Sequence, residues 1–501
     1  MSSLFWIKRF ATRIKKVEAE KDMDGQYPRI HRRAWLEWSQ RGVGATALLA
    51  LLEKEGGLAK SPVLSKDGVA LAAKAKRAIQ ICLVGGLSHL DSFDYKPELE
   101  KFHGKTLQTE EKPDIFFGQM GLLRKSDWEF RARGESGLMI SELFPEIASQ
   151  SDRLTVLRSM VTESANHTPA LFFENSGFEF NGFPSMGSWL SYGLGSIADD
   201  LPAYVVLPDG RGGPNGGASN WTHGFLPGQY QGVVFHSNGQ PVRDLRPART
   251  ISREEDLDTL QMVDFLNRKH REGHGIDDLL DSRIESYALA AKMQMSVPQV
   301  ADLAQESAAT LALYGVDRPE TSDMGKRCLL GRRLLERGVR FVQLYSGGPI
   351  AGSPRTSWDA HENVLENHAA EARRIDRPVA ALLADLHARG MLEDTLVLFT
   401  TEFGRTPFSQ SAADVAGPGR DHNRYAFSCW MAGAGLKPGT AFGESDSIGW
   451  KVAKDPVSWH DFHATVLHLF GIDHTRLTYY HNGIQRRLTN VHGDVVQGLL
   501  V

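Results

Sequence analysis

The sequence predicts an α/β protein built on a largely parallel sheet, and three observations carry that expectation. Short apolar runs of strand length recur along the chain, each closed by glycine or turn residues: 77–84, 154–160, 203–207, 339–345, 396–400 and 425–431. Helix-like segments separate them, the clearest having Ile375, Val379, Leu382, Leu383 and Leu386 at helical spacing. Carboxylates and histidines collect just past the predicted strands, where open α/β sheets carry their working groups.

With 501 residues the chain can bury a large core, as one α/β domain or one domain with insertions. A net charge of −4 with 24% charged residues gives no basic face for a nucleic acid. Cys82, Cys328 and Cys429 are far apart, odd in number and lack CxxC spacing, so they read as core residues rather than a disulfide framework. No run reaches the roughly 18 apolar residues of a membrane span, so an integral membrane protein is not expected. Residues 1–75 form an N-terminal extension. Within it, His31-Arg32-Arg33-Ala34-Trp35-Leu36 and the apolar stretch from Gly42 to Leu52 resemble a twin-arginine export signal. The α/β domain is expected over 76–501, with a charged, mostly helical block at 240–335 that reads as an insertion or cap.

Taken in order, the first strand opens onto Gly85-Gly86, followed by His89, Asp91 and Asp94. His89 and Asp91 suit a Zn²⁺ or Mn²⁺ ligand set or a structural turn in equal measure. The strand at 154–160 leads to Asn166-His167-Thr168-Pro169 and a helix whose first turn suits Pro169. Over that helix N-terminus, Thr168 reads as a nucleophile, an anion-facing group or a capping residue. The strand at 339–345 is followed by a Gly/Pro/Ser loop carrying Asp359 and His361, two groups able to grip one ion just ahead of a helix. His368, inside that helix, reads as solvated. The strand at 396–400 delivers Glu402 at its tip and Arg405 three residues on, and a further loop brings Arg420, Asp421 and His422. An acid at a strand end with a distant Asp-His pair is what a divalent-metal site needs. His460, His463 and His468 lie on a final amphipathic helix and read as structural.

GGLSHLDSFDYKP, ANHTPALFF, FPSMGSWLSYGLG, WDAHENV, TTEFGRTP and GRDHN occur in an order that resembles the domain-of-unknown-function 1501 family over residue 77 to the C-terminus. That family consists of exported bacterial proteins classed near the sulfatases and the alkaline phosphatase superfamily. The resemblance implies a doubly wound sheet of alkaline phosphatase/sulfatase type and one or two divalent ions (Zn, Mn or Ca) at the strand ends. It also implies export to the periplasm, with a cytoplasmic location as the alternative.

Carried over to this chain, the superfamily's metal motifs resemble Asp359-Ala360-His361, Glu402-Phe403-Gly404 and His422. The superfamily's opening acid falls at Gly85-Gly86, so His89 and Asp91 stand as its substitutes. The sulfatase Cys-x-Pro-x-Arg motif resembles His167-Thr168-Pro169-Ala170-Leu171 in position only: cysteine and arginine are both missing. Water activated by a divalent ion needs no protein hydroxyl, which leaves hydrolysis open without that cysteine. The expected ligands are therefore His89, Asp91, Asp359, His361, Glu402, Asp421 and His422. His167, Thr168, Arg405 and Arg420 are the expected catalytic groups, the two arginines facing the oxygens of a phosphate or sulfate. The implied function is hydrolysis of phosphate or sulfate esters, on polysaccharides among other substrates. The alternative is a non-catalytic protein of the same fold that binds a sulfated or phosphorylated glycan or a protein partner.

Overall fold

The computed structural model describes residues 71–501, apart from 110–112, 114, 117, 244, 246–252, 275–277, 351 and 353–354. Nearly all of the N-terminal extension, with its Arg32-Arg33 motif, lies outside the described residues. Twelve strands matter below: β1 (Arg77–Leu83), β2 (Met120–Leu123), β3 (Leu154–Val161), β4 (Tyr204–Leu207), β5 (Val233–Val234), β6 (Phe341–Ser346), β7 (Thr395–Thr401), β8 (Gly404–Gln410), β9 (Arg420–Asn423), β10 (Phe427–Gly433), β11 (Thr440–Phe442) and β12 (Val457–Ser458). The helices are α1 (His167–Ser176), α2 (Met186–Leu194), α3 (Arg253–His274), α4 (Asp278–Ala301), α5 (Ser322–Glu336), α6 (Val364–Ala388) and α7 (Trp459–Leu469).

The central sheet runs β11-β3-β10-β7-β1-β6-β4-β5, with β12 also on β3. Every pairing is parallel except those of β10, which lies antiparallel between β7 and β3. Strand β1 shows why both faces need covering. Ile79, Ile81 and Leu83 pack into one core, while Ala78 and Cys82 pack into the other. Helices α5 and α6 supply the first core, and α1, α2 and α7 the second. Burial on both faces explains the continuous apolar runs by which these strands were recognised. The fold is the doubly wound α/β class that the sequence predicts.

Several local expectations give way. The stretch 97–140, in which no strand is expected, contains a short helix, strand β2 and a β-hairpin that runs to Ser141, and a short helix starts at Pro145. The segments after Glu402, read as turn and loop, are β8 and β9, an antiparallel pair that joins β2 in a small second sheet. In the 240–335 block, α4 packs on the 228–230 turn and on α5, and α5 belongs to the main core rather than to an insertion. The three cysteines are buried and unpaired. No helix of the described residues is long and apolar enough to cross a membrane.

A polar layer lies beneath the sheet's C-terminal edge. Gln80 donates to Thr400 Oγ1 (3.0 Å), and Gln343 donates to Gln80 (3.2 Å) and Asn175 (2.6 Å). Glu174, fully buried on α1, accepts from the Cys82 thiol at 3.1 Å, and its Oε2 has no partner among the described residues. Burial pushes the Glu174 carboxyl up to about 8. An acid with a raised folded-state pKa holds a proton that the unfolded chain releases above about 4.3. Stability therefore falls as pH rises between that value and about 8. Glu174→Gln removes the term: the thermal midpoint of the variant should gain on that of the wild type from pH 5 to pH 8. An unchanged difference across that range would contradict the buried neutral acid.

Candidate metal centre

The register of the central strands assembles the site. Leu83 on β1 pairs with Thr401 on β7, so the residues just past both strands meet. There the amides of Gly85 and Gly86 donate to Glu402 Oε1 (2.8 Å) and Oε2 (3.2 Å). The 355–361 loop is pinned alongside: Trp358 N donates to Val84 O (2.8 Å), and its ring nitrogen donates to Ser346 Oγ (3.2 Å). Gly85 has φ +122°, and a Cβ there would lie 2.4 Å from Asp359 N, so only glycine lets this loop come close.

Four side chains from three separate segments converge within 4.8 Å of one another: His167, Asp359, His361 and His422. Each imidazole has one nitrogen committed outward. His167 Nδ1 faces Glu402 Oε1 (2.8 Å), His422 Nδ1 faces the Ala165 carbonyl (2.6 Å), and His361 Nδ1 faces Gln410 Oε1. A ring nitrogen facing an oxygen acceptor carries the proton, so in the neutral tautomer each Nε2 offers a lone pair. All three Nε2 atoms turn towards Asp359 Oδ1, at 3.5, 2.9 and 3.2 Å for His167, His361 and His422. The buried His167 Nε2 has no hydrogen-bond partner among the described residues.

Three lone pairs aimed at a carboxylate oxygen require positive charge between them. Protons can supply it, and so can one divalent ion held by three imidazoles and a carboxylate, with the outward hydrogen bonds fixing the tautomers. At bond lengths of about 2.1 Å two ligands can stand at most about 4.2 Å apart, so an ion needs only a small contraction of the cluster. The donor set fits.

The electrostatics favour the ligating form at Asp359 and His422 and oppose it at His167. Burial opposes ionisation of Asp359, but the Arg405 guanidinium beside it holds its carboxyl far below the usual range. Burial and the Arg405 charge keep the His422 pKa well below its ordinary value, which favours the neutral, ligating form. For His167, burial lowers the pKa, but the neighbouring carboxylates of Asp359 and Glu402 outweigh it and raise the net value, towards the imidazolium. The buried Arg405 donates to Asp359 Oδ1 (2.7 Å) and to the carbonyls of Gly86 (2.9 Å) and Arg420 (3.1 Å). Phe403 packs its ring on His422 and His167, with centroids at 4.4 and 4.9 Å.

The expected residues therefore sort into three groups. Asp359, His361 and His422 meet, and His167, expected as catalytic, joins them as a fourth donor. Glu402 is displaced from the ligand set, because both its oxygens are occupied by glycine amides, His167 and the Thr401 hydroxyl. Asp421 stands at the margin: Oδ1 accepts from His422 N (2.8 Å) and lies 3.9 Å from His361 Nδ1, and Oδ2 accepts from Phe116 N (2.8 Å). Thr168 follows His167 in the first turn of α1, half-buried, and its hydroxyl makes no hydrogen bond among the described residues.

His89, Asp91 and Arg420 correct the expectation. Arg420 is fully buried and donates to Asp91 Oδ2 (2.9 Å) and to the carbonyls of Thr406, Arg124 and Lys125. His89 Nε2 bonds Gly449 O (2.8 Å). Together they brace the second sheet. His368 is buried rather than solvated and accepts from Ser88 N (3.0 Å). His460 and His463 bond backbone carbonyls of α1 and its cap, as structural residues. Missed altogether was Arg355, which donates to Asp359 Oδ2 and bonds both oxygens of Glu362 (2.8 and 2.7 Å). A lone arginine in a Gly/Pro/Ser loop gave no periodic signal.

A family model described as a protein of unknown function (DUF1501) matches residues 75–500. No curated protein matches. Among solved structures, PsFucS1 sulfatase from Pseudoalteromonas sp. is 12% identical, covering 79% of this chain and 68% of its own, at a TM-score of 0.34. The lipoteichoic acid synthase LtaP from Listeria monocytogenes is 10% identical over 86% and 78%, at 0.34. A mutant TAB5 alkaline phosphatase with bound Mg is 12% identical over 79% and 98%, also at 0.34. Likeness at this level carries no activity or substrate across.

The tautomer argument generates a binding prediction. The purified protein should hold about one equivalent of a divalent transition metal by elemental mass spectrometry. His167→Ala and His361→Ala should lose it. Glu402→Gln should weaken binding about 10–100-fold by releasing His167. Full metal content in both histidine variants would remove these residues from the ligand set.

Proposed function

The chain belongs to the DUF1501 family, and we propose that it is a metal-dependent hydrolase of phosphate or sulfate monoesters. The observation that supports this most strongly is the convergence of three imidazole Nε2 atoms on Asp359 Oδ1. A divalent ion bound there would supply Lewis acidity and an activated water. The chain's own residues do the rest. Glu402, Gln410 and the Ala165 carbonyl hold the imidazoles in their ligating tautomer. Arg405 neutralises Asp359 and ties its loop to the strand ends. Arg355, about one-quarter exposed, is the cation placed to meet the oxygens of an incoming anion by exchanging its bond to Asp359 for one to the ester. Thr168 is a substrate contact rather than the nucleophile, because no base lies within hydrogen-bond reach of it among the described residues. The resemblance to exported proteins supports a periplasmic site of action and a glycan ester as substrate.

The second reading, a binding protein without catalysis, is favoured by one observation: both Glu402 oxygens accept from the Gly85 and Gly86 amides, which makes this strand-end acid an orienting group. The two readings separate in one assay on the metal-loaded protein with 4-nitrophenyl phosphate and 4-nitrophenyl sulfate. Hydrolysis of either should fall at least about 100-fold in Asp359→Asn. It should fall about 10-fold or more in Arg355→Ala, chiefly through KM, and stay within about tenfold in Thr168→Ala. Absence of turnover on both esters with the metal in place would leave the binding reading. A collapse of kcat in Thr168→Ala would instead make that hydroxyl the nucleophile.

A further inference from the structure

Helix α3 stands apart from the core. Among its described side chains only Leu260 and Asn267 are half-buried; the others are exposed. Four of the exposed ones are large and apolar: Met262 (58% exposed), Val263 (42%), Phe265 (53%) and Leu266 (54%). At 100° per residue Met262, Phe265 and Leu266 fall on one face, with Glu255 and Asp258 N-terminal to them and Lys269 C-terminal. Tyr287 (68%) and Met295 (57%), on the following helix α4, are also exposed. Such a concentration of apolar side chains in water marks an interaction site.

The charge pattern identifies the occupant. Residues 253–258 read Arg-Glu-Glu-Asp-Leu-Asp and 268–272 read Arg-Lys-His-Arg-Glu, so the helix is acidic before its apolar centre and basic after it. We propose that α3 is a dimerisation helix that pairs antiparallel with α3 of a second copy of this chain, about a two-fold axis near Met262. With the axis there, Met262 meets its own counterpart, and Glu255 of each copy lies opposite Lys269 of the other. Parallel pairing would set acid on acid. A two-fold contact must be self-complementary, and a helix with opposite charge at its two ends and apolar residues at its middle meets that demand. Its 22 residues span about 33 Å, long enough for a continuous seam.

Sedimentation-velocity measurements on the full chain at micromolar concentration test this. The wild type should sediment as a dimer. Met262→Asp/Phe265→Asp should sediment as a monomer with an unchanged thermal midpoint. Lys269→Glu should raise the dimer dissociation constant at least about tenfold, and Glu255→Lys/Lys269→Glu should restore it. A monomeric wild type overturns the proposal, as does a dimer that survives Met262→Asp/Phe265→Asp. Sedimentation of a monomer with anionic phospholipid vesicles would also overturn it, assigning the apolar face to a lipid surface.

Discussion

One carboxylate oxygen, Asp359 Oδ1, governs the arrangement of the sheet's C-terminal edge. It is buried and ionised, and it draws in His361 from its own loop together with His167, Arg405 and His422 from segments remote in sequence. A buried charge is costly unless it is paired and hydrogen-bonded, so each of those segments must arrive in register for the fold to tolerate it. The glycines follow from this demand. Gly85 admits the Asp359 loop. A Cβ on Gly419 would lie 1.6 Å from the His361 carbonyl oxygen, which fixes the approach of β9 to the same loop. The site is thus a condition of the local packing as much as a place where chemistry happens.

Glu402 shows how a metal-type framework can be rewired. At the end of β7 it occupies the position from which an acid could reach an ion. Instead its two oxygens gather two glycine amides, a hydroxyl and an imidazole. The carboxylate becomes an orienting group, and the charge it would have lent an ion goes to fixing His167. Phe403, beside it, packs its ring against two imidazoles.

Much of the frame was legible in the sequence, because a strand buried on both faces is a continuous apolar run and needs no partner to be recognised. The strand tips then directed attention to Asp359, His361, Glu402 and His422. What sequence could not supply was pairing. Arg420 and Asp91 carry the right chemistry for a site, yet Arg420, on β9, donates to Asp91 from 329 residues away, a pairing that sequence spacing does not reveal. His167 was placed at a helix start and read as catalytic; that its Nε2 turns towards Asp359 depends on the bond of its Nδ1 to Glu402, 235 residues away. His368 was read as solvated, although the amide that fills its Nε2 lies on a loop 280 residues earlier. Strands β8 and β9 were missed because their Gly, Arg, Pro and polar residues carry no alternation.

The lone antiparallel strand has a consequence for how the chain reaches this state. Among the described residues β3 pairs only with β10, β11 and β12, all drawn from residues 427–458, so no described strand from the intervening 260 or so residues holds it in the sheet. Helix α1 and His167 follow directly from β3. During synthesis they must wait, unpaired, until nearly the whole domain has emerged, because non-local strand pairing bears its loop-closure entropy before any contact repays it. Closure of the His-Asp cluster is therefore a late event in folding, and intermediates short of the C-terminal strands expose the apolar edge of β7 with no ligand set behind it.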